Sequence, residues 1–165
     1  MTYWTTFESP IGELFLAGDE DAVSALYMER QRHRPPRDPA SIRDDARFAR
    51  PIAELREYFD GSRTAFDVGV KFDRGTEFQR QVWNGLLEIP YGETWSYGEL
   101  AEHIGHPGEA RAVGAANGRN PVSLIVPCHR VIGADGSLTG YGGGLDRKRW
   151  LLDLESGAMP FALTA

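Results

Sequence analysis

Two textures of hydrophobic patterning divide this chain. Before residue 73, apolar residues come in short alternating bursts; after Thr76 they recur at helical spacing. Tyr3–Phe7, Leu14–Leu16 and Val23–Met28 read as strands, with turns at Ser9-Pro10-Ile11-Gly12 and Gly18-Asp19-Glu20-Asp21. Gln31 to Pro39 is rich in Arg and Pro and predicts an exposed loop. Phe48, Ile52, Leu55 and Phe59 share one helix face, which Pro51 should kink or restart and Gly61 should end. Phe66, Val68, Val70 and Phe72 alternate, predicting a further strand over 65–72. The expectation is a small antiparallel sheet with a helix against it.

The second texture opens with Thr76-Glu77-Phe78-Gln79, a capping box, followed by Phe78, Val82 and Leu86 on one face. Ile89-Pro90-Tyr91-Gly92 stops that helix. Ser96-Tyr97-Gly98-Glu99 is a second capping box for a short helix that Gly105 terminates. Pro107 suits the first position of a third helix running to about Asn117. Two short helices across a Gly-containing turn resemble a helix-turn-helix. A boundary near 73–76 gives two expected domains, 1–73 and 74–165. The third helix is bare: Gly114 inside it costs about 1 kcal/mol relative to Ala. Either another helix packs closely there or a nucleic-acid backbone approaches it. Arg111 is the one long charged side chain beyond the first turn, as a probe of DNA would be.

Charge argues against a basic protein as a whole: 18 Lys and Arg stand against 24 Asp and Glu, a formal charge of −6. DNA binding must therefore rest on a local surface. A single cysteine excludes an internal disulfide and any multi-cysteine metal site. No apolar run reaches the ~18 residues of a membrane helix, and the N-terminus lacks a signal segment. A reducing cytoplasm, at the nucleoid, is the expected location.

The chemistry gathers after Asn120-Pro121. The apolar run Val122–Val126 predicts a buried strand that delivers Pro127-Cys128-His129-Arg130 at its end. A thiolate is the nucleophile, and an imidazole can take the thiol proton. Neighbours on a strand point to opposite faces, so Cys128 and His129 can cooperate only if the backbone turns here. A lone buried cysteine can equally be inert. The glycine-rich Leu138–Leu145 can present backbone N–H groups to an oxygen or simply flex; it lacks the Lys-Ser/Thr ending of a phosphate loop. Asp146 is expected to cap a helix with Trp150, Leu151 and Leu154 on its apolar side. Glu155 at its far end opposes the helix dipole, so it either serves another partner or is a solvated end residue.

Together these segments resemble the O6-alkylguanine-DNA alkyltransferase family, also called methylated-DNA–protein-cysteine methyltransferases. The match runs almost continuously from Phe78 to Glu155: Ile89-Pro-Tyr-Gly-Glu93, Ser96-Tyr97-Gly98, Ala110-Arg-Ala-Val-Gly114, Asn120-Pro121, Ile125–Ile132 and Gly140–Leu145. Ser9-Pro10-Ile11-Gly12 and the Leu55-Tyr58-Phe59 helix extend it into the first half. The resemblance implies an α+β protein with a ribonuclease H-like N-terminal domain and a mainly helical C-terminal domain bearing a winged helix-turn-helix. It implies Cys128 as alkyl acceptor and His129 as base through a bridging water, with Glu155 orienting it. Asn120 would brace the turn. Arg111 would replace the extruded guanine in the stack. Ala112 and Ala115 would line the minor-groove face. Tyr97 would contact the base and a phosphate. The carbonyls of Cys128 and Val131 would hold the guanine amino group. The N–H groups of Tyr141 and Gly142 would face O6, with the Tyr141 ring as a wall.

The implied reaction is repair of O6-alkylguanine, and of O4-alkylthymine, in double-stranded DNA. It is a single, irreversible transfer with no cofactor and no metal. The implied assembly is a monomer, with cooperative binding on DNA open. Trp95 could touch DNA or pack; Gly133 and Gly142 are expected to give the pocket room for larger alkyl groups. The runner-up is a non-catalytic, alkyltransferase-like lesion sensor. A cysteine hydrolase is a third reading, which leaves the helix-turn-helix and Arg111 without a purpose.

Overall fold

The computed structural model describes residues 1–158; the end of the second expected domain, 159–165, lies outside them. The three strands form where alternation places them: β1 (Tyr3–Ser9), β2 (Gly12–Gly18) and β3 (Val23–Met28). They pair antiparallel, from Tyr3↔Gly18 to Ser9↔Gly12 and from Leu14↔Met28 to Gly18↔Val23. The hairpin closes where Ser9 Oγ accepts from the Ile11 N–H and donates to the Gly12 carbonyl, with Gly12 at φ 106°. The sheet is not wholly antiparallel. A two-residue edge strand, β4 (Ile42–Arg43), lies parallel to β1, giving the order β3-β2-β1-β4. Two residues carry too little periodicity to be seen in the sequence.

Alternation sorts the sheet's two faces. Phe7, Leu14, Leu16, Leu26 and Met28 enter the main core, where Leu55 and Tyr58 of α1 (Ala49–Phe59) meet them. Trp4, Phe15, Ala17 and Tyr27 form a smaller outer cluster. The Arg/Pro-rich loop folds back over that cluster, setting Arg34 over the Phe15 ring at 5.2 Å and Arg37 over Trp4 at 4.7 Å. Pro51 neither kinks nor restarts α1. It lies in the first turn, where a missing N–H removes no intrahelical bond, and a 3-10 turn over Asp45–Phe48 leads in. Gly61, at φ 85°, ends the helix region as expected.

Two expected strands are not strands. Over 65–72 the alternate residues Phe66, Val68, Val70 and Phe72 do pack against the core, but pairing is limited to one bridge, Val23↔Val70. The free edge of β3 explains this, because two irregular segments share it. Val23 bonds to Gly69 and Lys71, and Leu26 bonds to Pro121 and Ser123. Val122–Val126 is buried as expected, yet it is a tight loop with Leu124 at φ 70°. The Ile125 N–H donates to the Ser123 carbonyl and the Val126 N–H to the Val122 carbonyl. An apolar run reports burial and cannot tell a strand from a folded loop.

The helical half follows its capping boxes. In α2 (Glu77–Leu86) Thr76 and Gln79 cap reciprocally; in α3 (Tyr97–His103) Ser96 and Glu99 do the same. Gly85 lets α2 and α3 meet, since a Cβ there would sit 2.6 Å from Ile104. Pro107 does not start the third helix: it lies in a turn with Gly108 at φ 82°, and α4 is Ala110–Asn117. Trp83 Nε1 donates to the Ala116 carbonyl and locks α2 to α4. A two-residue parallel ladder joins β5 (Trp95–Ser96) to β6 (Val131–Ile132). The last helix, α5 (Leu145–Glu155), is preceded by Gly144 at φ 93°, so Asp146 sits in its first turn and does not cap it. Among the described residues no helix is long and apolar enough to cross a membrane.

Candidate active site

The backbone turns at the cysteine, as cooperation with His129 requires. Cys128–Arg130 is one turn of 3-10 helix entered from Pro127. The loop before it is closed by Asn120, whose Nδ2 donates to the Val126 carbonyl at 2.9 Å and whose Oδ1 accepts from the Val122 N–H at 3.0 Å. Asn120 thus holds both ends of the loop that aims the thiol.

His129 is fully buried, and its Nε2 lies 2.7 Å from Glu155 Oε2. Arg130 reaches the same carboxylate twice, Nε to Oε1 at 2.8 Å and Nη2 to Oε2 at 3.1 Å, and donates through Nη1 to the Ile89 carbonyl. Tyr58 of α1 donates its hydroxyl to Glu155 Oε2 at 2.6 Å. Glu155 is therefore no solvated end residue. Burial raises the pKa of its carboxyl, yet His129 and Arg130 outweigh burial and hold it well below the usual carboxylate range. Burial likewise pushes His129 below its ordinary pKa, against the pull of Glu155. Burial thus favours the neutral ring, in which Nε2–H donates to the Glu155 carboxylate. Nδ1 is then the free lone pair, and it has no hydrogen-bond partner among the described residues. A neutral imidazole oriented in this way is a base.

Cys128 is buried, and burial pushes its thiol up; a hydrogen bond from Asn120, the charge of Lys148 and the Tyr141 hydroxyl oppose that rise. Burial thus favours the protonated thiol over the thiolate. Lys148 was not foreseen from the sequence. It is fully buried, donates Nζ to the carbonyls of Val131 at 2.6 Å and Thr139 at 3.0 Å, and is lowered to about 8 by burial, opposed by Cys128. Tyr97 donates its hydroxyl to the same Thr139 carbonyl at 3.1 Å, and its ring is the neighbour that Gly114 would meet. A Cβ at Gly114 would stand 3.5 Å from that ring, an ordinary contact, so packing against α3 does not by itself require the glycine.

A cavity of about 10 Å³ lies against the sulfur, lined by Cys128, Asn117, Asn120, Tyr141 and Gly142 with Gln31 from the first half. That is room for about one water molecule. Among the described residues no hydrogen bond engages the N–H of Tyr141 or Gly142, so both donors are free. The Gly142 carbonyl accepts from the Arg32 N–H at 2.9 Å, which fastens the glycine loop to the first half. Gly142 lines the cavity as expected. Gly133 does not: it belongs to a tight turn in which its N–H donates to the Ser137 carbonyl. Of the two carbonyls expected to hold an amino group, Cys128 O already accepts from Asn117 Nδ2 at 3.3 Å and Val131 O from Lys148.

Outside the pocket, α4 exposes Arg111, Ala112 and Ala115 while Val113, Ala116 and Asn117 are buried. Trp95 packs against His103, ring centroids 4.7 Å apart. The sequence reading missed Tyr58, Asn117, Arg130 and Lys148. Their signal was a polar residue on a buried stripe: Lys148, Leu151 and Glu155 fall at i, i+3 and i+7, and Asn117 follows Val113 and Ala116.

Two family descriptions match this arrangement. "6-O-methylguanine DNA methyltransferase, ribonuclease-like domain" matches residues 2–72, and "6-O-methylguanine DNA methyltransferase, DNA binding domain" matches residues 77–157. The chain belongs to the 6-O-methylguanine DNA methyltransferase family. The methylated-DNA–protein-cysteine methyltransferase of Mycobacterium bovis is 53% identical over 164 residues, covering 99% of this chain and 98% of that protein. The protein of the same name in Methanosarcina acetivorans is 49% identical over 153 residues, covering 93% and 97%. Among solved structures, Mycobacterium tuberculosis OGT in complex with DNA superposes with a TM-score of 0.89 at 52% identity, covering 96% of this chain and 95% of that one. The family's α+β architecture, a ribonuclease-like half and a DNA-binding half, is the one described above.

Proposed function

We propose that this protein repairs O6-alkylguanine in double-stranded DNA, and O4-alkylthymine by the same route, by moving the alkyl group once and irreversibly onto Cys128. The observation that carries this reading is the pairing of the chain's one cysteine, which lines a small cavity, with an adjacent buried imidazole whose Nε2 is held by Glu155 and whose Nδ1 has no partner among the described residues.

The target base must leave the duplex to reach so small a cavity, which costs a few kcal/mol. The face of α4 bearing Arg111, Ala112 and Ala115 is shaped for the minor groove, and Arg111 fills the vacated stack. The cavity opens to admit the base beside Tyr141, with the Cys128 and Val131 carbonyls facing its amino group. The thiol proton passes through a water to His129 Nδ1, and Glu155, itself held in place by Arg130, steadies the imidazolium that results. Sulfur attacks the alkyl carbon, an S–C bond forms, and the C–O6 pair leaves with guanine. The free N–H groups of Tyr141 and Gly142 meet the negative charge on O6, and Tyr97 or water returns a proton to the ring. The thioether has no proton to lose and is a poor leaving group, so each molecule acts once. The protein works as a monomer in the cytoplasm, at the nucleoid.

Incubation with duplex DNA labelled in the methyl group at guanine O6 tests the reading. We expect one label per molecule, on Cys128, and none on Cys128→Ala, which still shifts DNA in a gel. Binding by the native protein without label transfer would make it a lesion sensor and overturn the proposal.

A further inference from the structure

Asn117 is the last residue of α4 and lies inside the cavity that holds the thiol. It is 3% exposed. Its Nδ2 donates to the Cys128 carbonyl at 3.3 Å, while its Oδ1 has no partner among the described residues. Buried amide oxygens nearly always accept a hydrogen bond, and one left empty costs the full desolvation penalty. The alternative orientation of the amide is disfavoured, because it would point Oδ1 at the Cys128 carbonyl oxygen, acceptor against acceptor. The cavity that Cys128 lines therefore also holds an acceptor awaiting an N–H or O–H donor.

The lesions differ in what they can offer it. Alkylation at O6 removes the N1 proton of guanine, so the exocyclic 2-amino group is the base's remaining N–H donor. O4-alkylthymine has lost its N3 proton and has no donor on the base. The two carbonyls otherwise available to an amino group already accept from Asn117 and Lys148, whereas Asn117 Oδ1 accepts from nothing.

We infer that Asn117 is a substrate-contact residue whose Oδ1 accepts a hydrogen bond from the 2-amino group of the flipped guanine, so that the end of the DNA-facing helix reads base identity inside the alkyl-transfer pocket. This rests on the alkyl-transfer reading above and adds to it a purine-over-pyrimidine preference with a named origin.

The test compares two duplex substrates that differ by that amino group alone, O6-methylguanine and O6-methylhypoxanthine, in single-turnover transfer by the full-length protein. The native protein should methylate itself about tenfold or more faster from the guanine lesion, the size of one hydrogen bond to a buried acceptor. In Asn117→Leu, of the same branched shape, the ratio should fall several-fold; whatever preference remains belongs to the Cys128 and Val131 carbonyls. Asn117→Asp keeps an acceptor and should keep the preference, even if both rates fall. Equal rates in the native protein overturn the inference without any variant. An unchanged ratio in Asn117→Leu overturns it while leaving alkyl transfer intact. No transfer from either lesion overturns the alkyl-transfer reading, and this one with it.

Discussion

Two buried glutamates, one in each half, show what separates a clamp from the network proposed to move a proton. Glu54 of α1 accepts from Arg50 Nε at 3.2 Å and from the N–H groups of Asp67 and Val68 at 2.8 and 3.2 Å. Glu155 of α5 accepts from Arg130 and Tyr58 and pairs with His129. Both are buried in nearly the same degree. The partners of Glu54 are arginine and backbone amide, groups that keep their protons at any physiological pH. It ties the 65–72 segment to the helix. Glu155 adds a partner that can change charge, and that imidazole keeps a second nitrogen free. Burial and ion pairing are common to both; the titratable neighbour with a spare lone pair is not.

Replacing each carboxylate in turn is the strongest way to break this comparison. Glu155→Gln should slow label transfer by about 100-fold, the scale of general-base catalysis, and lower unfolding stability in urea by about 3–5 kcal/mol, the scale of a disrupted buried ion pair. Glu54→Gln should lower stability too, while the transfer rate per folded molecule stays unchanged. If Glu54→Gln slowed transfer as much, the two sites would not differ in kind. The pH dependence has a definite sign. Because the folded protein holds the Glu155 carboxyl below its ordinary pKa of about 4.5, the stability it contributes is present above that pH and is lost as pH falls below it. The acid limb of the stability curve should flatten in Glu155→Gln.

Arg111 lies outside both networks and sharpens the comparison from the DNA side. Arg111→Ala should slow transfer from duplex DNA by about tenfold, the scale of one lost base-stack contact, and leave reaction with free O6-benzylguanine unchanged. Equal losses on both substrates would place Arg111 in the proton network after all. The smallest effect belongs to Tyr58→Phe. Loss of one hydroxyl to Glu155 should cost about 1 kcal/mol of stability and slow transfer only a few-fold, because His129 and Arg130 still hold the carboxylate. A collapse of activity in that variant would mean that the first half takes a direct part in the chemistry.

What the sequence by itself determined was local or carried by contiguous motif. The boxes at Thr76 and Ser96 set two helix starts because a cap and its partner lie three residues apart. Alternation set the three strands and even the packing side of Phe66, Val68, Val70 and Phe72. The Pro127-Cys128-His129-Arg130 segment was legible because the proposed nucleophile and base are adjacent. Tertiary structure decided the rest. Tyr58 meets Glu155 across 97 residues of chain, and Lys148 turns inward to two carbonyls that no periodicity announces. The free edge of β3 could have paired with 65–72 and is instead divided between 69–71 and 121–123. Pattern tells which side of an element avoids water. Which polar group will wait for it inside depends on where the folded chain brings a donor within 3 Å of an acceptor, and that distance exists only once the two halves have closed on each other.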